Sequence, residues 1–513
     1  MIKMTHKIQI YRSGELICKT EGKPGETLHH LIRAAGVLLN APCGGNNRCG
    51  KCRVRLSPDG EQILACRTTI DGDTNVYLPD ETKAKIAGAG TVVSPTERIM
   101  KSIKPGVAID IGTTMVVAHL TDTLTGTRIA TASGINTQQT YGADVISRIR
   151  YCADNGHEAL TQLIREQLAS LINQSCADAG ICAQDIEYVS IAGNTIMQHF
   201  AAGYSPVGMG TAPFLPISLF GDELPVWEGL SVAKTAKVYF APAVSSYVGG
   251  DITAGMLAAG LGEISSPAVY LDIGTNGEIV LKANDIYYCC ATAAGPAFEG
   301  AETTMGMPAV EGAIDHVIWE NGLKTSVIGD SDPRGLCGSG LLDALALLLE
   351  TGAVDETGRL LDAGEINHEI AAHIGKVESQ NVFWLTKSIG GVYMSAMDIR
   401  KLQLAKSAIA AGIQTLLHHA KITEGQVKKL ILAGGFGSYI NKTSAAQIGL
   451  FPKSLLKVAQ SHGNTAGEGA SLALCSEHSR ARLEEIRKRC KYIELSTSPE
   501  FNEQFIEQMG FET

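Results

Sequence analysis

Two stretches of this 513-residue chain are copies of one unit. VAIDIGTTMVVAHL begins at Val107 and VYLDIGTNGEIVLK begins at Val269. Each is an apolar run that closes on Asp, then Ile-Gly-Thr, then a second apolar run. A further pair matches later in each half. VSIAGNTIM (189–197) and LILAGGFGSYI (430–440) each read as a strand, a glycine-containing turn and a helix start. Two copies of such a unit predict two similar lobes that face each other. Strand-like and helix-like runs alternate through residues 104–475, so the lobes are α/β. The expected division is a lobe at 104–262 with the first hairpin and a lobe at 263–475 with the second.

Composition narrows the class. Hydrophobic residues make up 45% and charged residues 19%, which excludes a globally disordered chain. The formal charge is −10, so the basic footprint of a nucleic-acid binder is absent. No uncharged apolar run is long enough to span a membrane, and residues 1–15 hold no apolar core of signal-peptide length. A cytoplasmic location is the resulting expectation. The 13 cysteines are odd in number and uneven in spacing, which argues against a disulfide framework. Cys289-Cys290 and Cys337 read as small buried side chains. The adjacent pairs His29-His30 and His418-His419 lack metal-ligand spacing.

Four of the cysteines, Cys43, Cys49, Cys52 and Cys66, fall close together in PCGGNNRCGKCRV and LACRT. Thiolates suit iron–sulfur clusters and zinc. A zinc ribbon shows two separated C-x2-C knuckles, and only Cys49–Cys52 is such a pair. Gly44, Gly45 and Gly50 allow the positive φ with which backbone N–H groups turn toward sulfide. Plant-type 2Fe–2S proteins use a related C-x4-C-x2-C…C spacing, one residue shorter in its first interval. A 2Fe–2S cluster is the favoured assignment. Arg48 and Lys51 beside it either favour the reduced cluster or are plain solvated charges. Around this loop, short strands are expected at 7–10, 15–19, 53–56 and 75–78, with a helix at 26–35. Residues 1–80 resemble a ferredoxin β-grasp domain. Residues 81–103 read as a linker, whose flexible span would be about 25–30 Å. The charged stretch RARLEEIRKR opens a C-terminal tail at 476–513 and reads as a solvated helix.

The repeated hairpins carry the second chemistry. No G-x-x-x-x-G-K-[ST] occurs, and no G-x-G-x-x-G follows a strand. A Gly-Thr turn between two strands instead offers N–H groups and hydroxyls to phosphate oxygens. An Asp at the strand end can hold Mg²⁺ through water. Facing hairpins would clamp a triphosphate from both sides. These residues resemble the superfamily of actin, heat-shock ATPases and sugar and acetate kinases, a two-lobed ribonuclease H-like fold. Asp110, Gly112, Thr113 and Thr114 look like its first phosphate motif. Asp272, Gly274, Thr275 and Asn276 look like its second. Gly434, Gly435 and Gly437 look like its adenosine motif, and 463–470 is placed like its connecting helix. The resemblance implies ATP and Mg²⁺ as ligands. It also makes Asp251, in Gly249-Gly-Asp-Ile-Thr253, the candidate for orienting the attacking water. A helix N-cap is the competing role for Asp251.

A ferredoxin-like domain joined to this ATPase resembles the ATP-dependent reductive activators of corrinoid proteins. The likeness extends to ATAAGPAFEGAETTMGMPA (291–309), LCGSGLLDA (336–344), DIRKLQLAKSAIAAGI (398–413) and IELSTSPEFNEQF (493–505). It implies one-electron reduction of an inactive Co(II) cobalamin to Co(I), with a corrinoid protein of a methyltransferase system as partner. It also implies a low-potential donor such as ferredoxin or flavodoxin, and a homodimer, although the short linker departs from a folded dimerising one. Three other functions stay open at this point: a small-molecule kinase with an accessory cluster, an electron activator of another low-potential enzyme such as a radical dehydratase, and a redox sensor that binds ATP without turnover.

Overall fold

The computed structural model describes residues 5–37, 39–41, 44–45, 47, 50–79, 103–265, 267–329, 331–386, 391–437 and 440–512. The expected linker lies outside them except for Ile103, and Cys43, Arg48 and Cys49 also lie outside.

The first domain is built on a hairpin. Strands β1 (His6–Arg12) and β2 (Glu15–Gly22) are antiparallel. Ser13 and Gly14 join them with φ of 51° and 81°, the left-handed pair that matches the twist of flanking strands. β3 (Arg53–Val54) and β4 (Ile63–Leu64) pair with each other, and β5 (Thr74–Leu78) runs parallel to β1. A helix at Leu28–Ala34 starts where the Thr27 hydroxyl accepts from the His30 N–H (3.3 Å). Its Leu28, Leu31 and Ile32 pack on Ile8, Ile10 and Val76. Cys52 and Cys66 belong to this same core. The fold agrees with the expected β-grasp, with shorter strands at 53–54 and a helix that begins two residues later.

The two lobes repeat one sheet. In the first, β6 (Pro105–Ile111), β7 (Met115–Asp122) and β8 (Arg128–Ile135) form an antiparallel meander. β9 (Tyr188–Gly193) runs parallel to β6, and β11 (Lys237–Phe240) parallel to β9, with β10 (Glu223–Pro225) at the edge. The second lobe repeats the meander in β12 (Ala268–Ile273), β13 (Gly277–Ala283) and β14 (Ile286–Thr292). An insertion follows, with one small sheet of β15 (Ala313–Trp319), β16 (Leu323–Val327) and β17 (Gly335–Leu336). Another holds β18 (Ile374–Val377), β19 (Gln380–Trp384) and β20 (Tyr393–Ser395). The main sheet resumes with β21 (Lys429–Ala433) parallel to β12 and β22 (Ala459–Gly463) parallel to β21. The duplication holds to the register. Asp110 stands opposite Ala192 just before Gly193, and Asp272 stands opposite Ala433 just before Gly434.

The lobes are joined by two helices in backbone contact. The helix Gly250–Ala258 follows the first lobe, and the helix Thr465–Cys475 follows β22. A Cβ at Gly469 would overlap the Ala254 carbonyl, so only glycine permits this approach. Thr465–Cys475 lies over β6 and β9, while Gly255 abuts the Tyr270 hydroxyl of β12. The core around them draws Ala108 and Ala192 from one sheet and Tyr270, Val280 and Ile431 from the other.

Residues 476–512 are built into the second lobe. The helix Glu477–Arg489, expected as a solvated helix, buries Leu483 and Ile486 on one face. β23 (Cys490–Tyr492) extends the main sheet in parallel with β14. The helix Pro499–Glu507 and the turn after it are pinned by Lys406, whose buried ammonium donates to the Gln508 and Gly510 carbonyls. Burial pulls that ammonium down to about 8. Among the described residues, no helix is long and apolar enough to cross a membrane.

Candidate nucleotide site and cluster loop

The first hairpin is held open by its neighbours. Gly112 N–H donates to the Met115 carbonyl (2.9 Å), which closes the turn. Arg148 is wholly buried in the helix Val145–Asn155, whose start is fixed by a capping box of Asp144 and Ser147. Its guanidinium donates to the Thr113 carbonyl (2.6 Å), the Gly142 carbonyl (2.9 Å) and Gln138 Oε1 (3.1 Å). Burial brings it down to about 9, against the opposing pull of Asp144 and Glu299. Asn194 donates from Nδ2 to Thr113 Oγ1 (3.0 Å), and its Oδ1 caps the helix Thr195–Ala202 at the Met197 N–H (3.0 Å).

The second hairpin is closed by Gly274 N–H donating to the Asn276 carbonyl (2.9 Å). Tyr270 Oη donates to Asp272 Oδ2 (3.3 Å) and lies 2.8 Å from Thr465 Oγ1. Gly434 has φ +86°, and a Cβ there would overlap Asp272 Oδ1. The adenosine motif is thereby packed against the second hairpin. Beyond it Gly435 is exposed and Gly437 buried, and Phe436 stacks on Phe298 at 5.5 Å.

Glu299 joins the two hairpins. Thr114 Oγ1 donates to its Oε2 (2.9 Å) and Thr275 Oγ1 to its Oε1 (3.2 Å). Its pKa is raised by burial, with the two hydroxyls and Arg148 opposing. Glu299 has no role legible in its own segment, because nothing local says that it ends between two turns from opposite lobes.

Asp110, Asp251 and Asp272 gather behind the hairpins. Burial, then the charges of Asp272 and Asp110, lift Asp251 to about 8. Asp110 rises to about 7 through burial, opposed by a hydrogen bond from Asn464 and aided by Asp272. Asp272 rises to about 6 through burial. Glu278, on β13, is pushed well up by burial and by Asp251 and Asp272. Each carboxylate makes ionisation of the next costlier, a repulsion that a cation among them would reverse. Among the described residues no three acidic, His or Cys side chains enclose a metal by themselves. Asp251 is not the N-cap of its helix; Gly249 is. The Asp251 carboxylate sits in the first turn and accepts from the Ile252 N–H (2.9 Å). Gly249 has no room for a side chain, since a Cβ would lie 2.5 Å from Asn194 Cα.

In the first domain Cys52 and Cys66 are buried with their sulfurs 3.2 Å apart. That is far beyond a disulfide bond and near the roughly 3.7 Å separating two thiolates on one tetrahedral metal at about 2.3 Å. Ala65 N–H donates to the Cys52 carbonyl (2.8 Å), which ties the two segments together. Cys43 and Cys49 lie outside the described residues. Gly44, Gly45, Asn47 and Gly50 all have positive φ, between 59° and 86°, so the loop bends as a sulfide-cradling loop must. A Cβ at Gly45 would overlap the His29 imidazole. Burial, then Arg33 and His30, hold that imidazole down to about 4, so it packs here as a neutral ring. The cysteine pair and the loop fit a four-thiolate cluster.

This domain rests on both lobes. Lys51 Nζ donates to the Gly300 and Gly306 carbonyls, both at 2.8 Å. Arg33 lies over the rings of Tyr141 and Tyr151 at 5.3 and 5.7 Å. Lys51 is thus a docking residue, not a plain solvated charge.

Comparison with known proteins gives a consistent answer. Residues 105–263 match the family model of the RACo middle region, and residues 266–513 match that of the C-terminal domain of RACo, the ASKHA domain. The chain is 32% identical to the corrinoid activation enzyme RamQ of Eubacterium limosum, over 93% of this chain and 94% of that one. It is 22% identical to the [Co(II) methylated amine-specific corrinoid protein] reductase of Methanosarcina barkeri, over 80% and 77%. The solved structure of a reductive activator for corrinoid, iron-sulfur protein superposes with a TM-score of 0.72 at 29% identity, over 99% of this chain and 98% of that one. With its duplicated hairpin lobes and its cysteine-bearing first domain, the chain belongs to the RACo family of reductive activators.

Proposed function

We propose that this protein is an ATP-dependent reductive activator of a corrinoid protein, returning inactive Co(II) cobalamin to Co(I) by one electron. The observation that carries the reading is a thiol-bearing domain seated on the two lobes that carry the phosphate hairpins. Facing phosphate hairpins share Glu299, and the paired thiols of Cys52 and Cys66 sit in a domain seated on the same two lobes. Cys43, Cys49, Cys52 and Cys66 would hold a 2Fe–2S cluster, which when bound supplies a one-electron couple near about −400 mV. Each 59 mV by which an acceptor lies lower costs a factor of about ten in a one-electron equilibrium. Nucleotide hydrolysis supplies the drive for such a transfer.

Within the ATPase, the N–H groups and hydroxyls of Gly112, Thr113, Thr114, Gly274, Thr275 and Asn276 receive the phosphates. Asp110 and Asp272 hold Mg²⁺ through its water. Gly434, Gly435 and Gly437 take the adenosine. Asp251 orients the attacking water, a role supported by its burial beside Asp110 and Asp272. A low-potential ferredoxin or flavodoxin is the donor this reading calls for.

The test is direct. Anaerobically reduced protein is mixed with a Co(II)-state corrinoid protein, and Co(I) absorbance is followed with and without Mg-ATP. Co(I) formed only with ATP is the expected outcome. No Co(I) with any of several corrinoid partners, alongside phosphoryl transfer to polyols or carboxylates, would move the assignment to a small-molecule kinase.

A further inference from the structure

The turn at 296–306 touches every part of the machine. Phe298 stacks on Phe436 of the glycine-rich motif. Glu299 takes one hydroxyl from each hairpin. The carbonyls of Gly300 and Gly306 converge on Lys51, next to the buried thiol of Cys52. The turn is tied by its own hydrogen bonds: Gly300 N–H donates to the Ala297 carbonyl (3.0 Å), Ala301 N–H to the Pro296 carbonyl (3.2 Å) and Thr304 N–H to Asp398 Oδ1 (2.7 Å). Gly306 packs so closely on Gly300 that a Cβ would overlap its carbonyl. A shift of Glu299 is therefore passed to the Gly300 carbonyl beside it and to Gly306 packed against it.

We propose that Glu299 is a positioning residue that reports nucleotide occupancy to the cluster domain through this turn. The inference rests on nucleotide binding between the two hairpins. Phosphate oxygens there compete for the Thr114 and Thr275 hydroxyls, the donors that Glu299 holds in the nucleotide-free arrangement. A buried carboxylate that loses both donors cannot keep its place at no cost, so it and the turn shift. Gly300 and Gly306 then withdraw from Lys51. The domain keeps its contacts on the first lobe, where Arg33 meets Tyr141 and Tyr151. Nucleotide thus loosens one side of a two-sided seat and frees the cysteine loop to face a protein partner.

The experiment uses the full-length, cluster-loaded protein under anaerobic conditions. Lysines are acylated briefly with an N-hydroxysuccinimide ester, with and without Mg-ADPNP, and each site is quantified by mass spectrometry. Equilibrium dialysis measures ADPNP binding in the same samples. Lys51 should label about 5–30-fold faster with nucleotide, the protection that one to two net hydrogen bonds confer. Exposed Lys324 is the internal reference and should not change. Glu299→Ala should label fast without nucleotide and gain nothing from it. Glu299→Gln, which accepts from one hydroxyl through Oε1 and donates to the other through Nε2, should restore slow labelling. Bound ADPNP with an unchanged Lys51 rate overturns the inference, even if the Ala variant fails to fold. Absence of bound ADPNP overturns the nucleotide-site reading beneath it, and the inference with it.

Discussion

The carboxylate cluster makes the nucleotide-free protein acid-stabilised, by an amount that can be worked out. Asp110 is held at about 7 and Asp251 at about 8, against about 4 for an unfolded Asp. Between pH 6 and pH 7 the folded chain carries between one and two more protons at these positions than the unfolded chain. A group whose folded pKa is raised contributes stability at low pH and loses it as pH climbs through the folded value. Their contribution to stability then falls by about 2 kcal/mol over that unit of pH. For two lobes of about 400 residues this contribution alone is a drop in Tm of about 2–3 °C. His29, His119 and His199 are depressed, and because an unfolded His titrates near about 6.5 they give a slope of opposite sign that overlaps this interval. The comparison must therefore be with Asp110→Asn/Asp251→Asn, in which the histidine contributions cancel. The assay is scanning calorimetry in EDTA without nucleotide at half-unit steps from pH 6 to 8. The difference between wild type and variant should move steadily against the wild type as pH rises. Curves that stay parallel would refute the idea that these carboxylates are crowded and protonated in the empty site.

Three further outcomes follow from the same geometry. Cys66→Ser should lose bound iron and the visible absorption while keeping the far-ultraviolet dichroism of the lobes, because the thiol paired with Cys52 is gone. Gly434→Ala forces a side chain into a left-handed position at about 1–2 kcal/mol and onto Asp272, so ADPNP affinity by equilibrium dialysis should fall about tenfold. Asp251→Asn should cut phosphate release by about 10²–10⁴ while leaving ADPNP affinity in place; unchanged release would remove Asp251 from the chemistry.

What the sequence disclosed was local. A strand, a Gly-Thr turn and a strand are contiguous, so both hairpins and their equivalence were legible in Asp110–Thr114 and Asp272–Asn276. The cysteine loop was legible for the same reason. The residues that escaped are those whose partners are distant in the chain. Glu299 meets Thr114 across 185 positions. Arg148 reads as an ordinary basic residue in an amphipathic helix until the fold buries it beneath Thr113. His29 looked like half of an idle pair, and its contact with Gly45 depends on how the helix Leu28–Ala34 sits over the loop. RARLEEIRKR shows its charges on a linear scan, but Leu483 and Ile486 find a core only once β23 has joined β14. Lys51 could be read two ways from composition alone, and only the neighbouring lobe decides.

The helix Thr465–Cys475 also sets an order of events on the ribosome. It covers β6 and β9, yet the sheet to which they belong is complete at Phe240. At about 5–20 residues per second, the intervening stretch takes roughly 10–45 s to synthesise. Throughout most of that interval the nascent first lobe shows an apolar face around Ala108 and Ala192 with only the helix Gly250–Ala258 against it. Chains halted before residue 465 should therefore be chaperone clients rather than soluble half-proteins, and force-sensing arrest sequences placed on either side of that helix would show the lobe close only after it emerges.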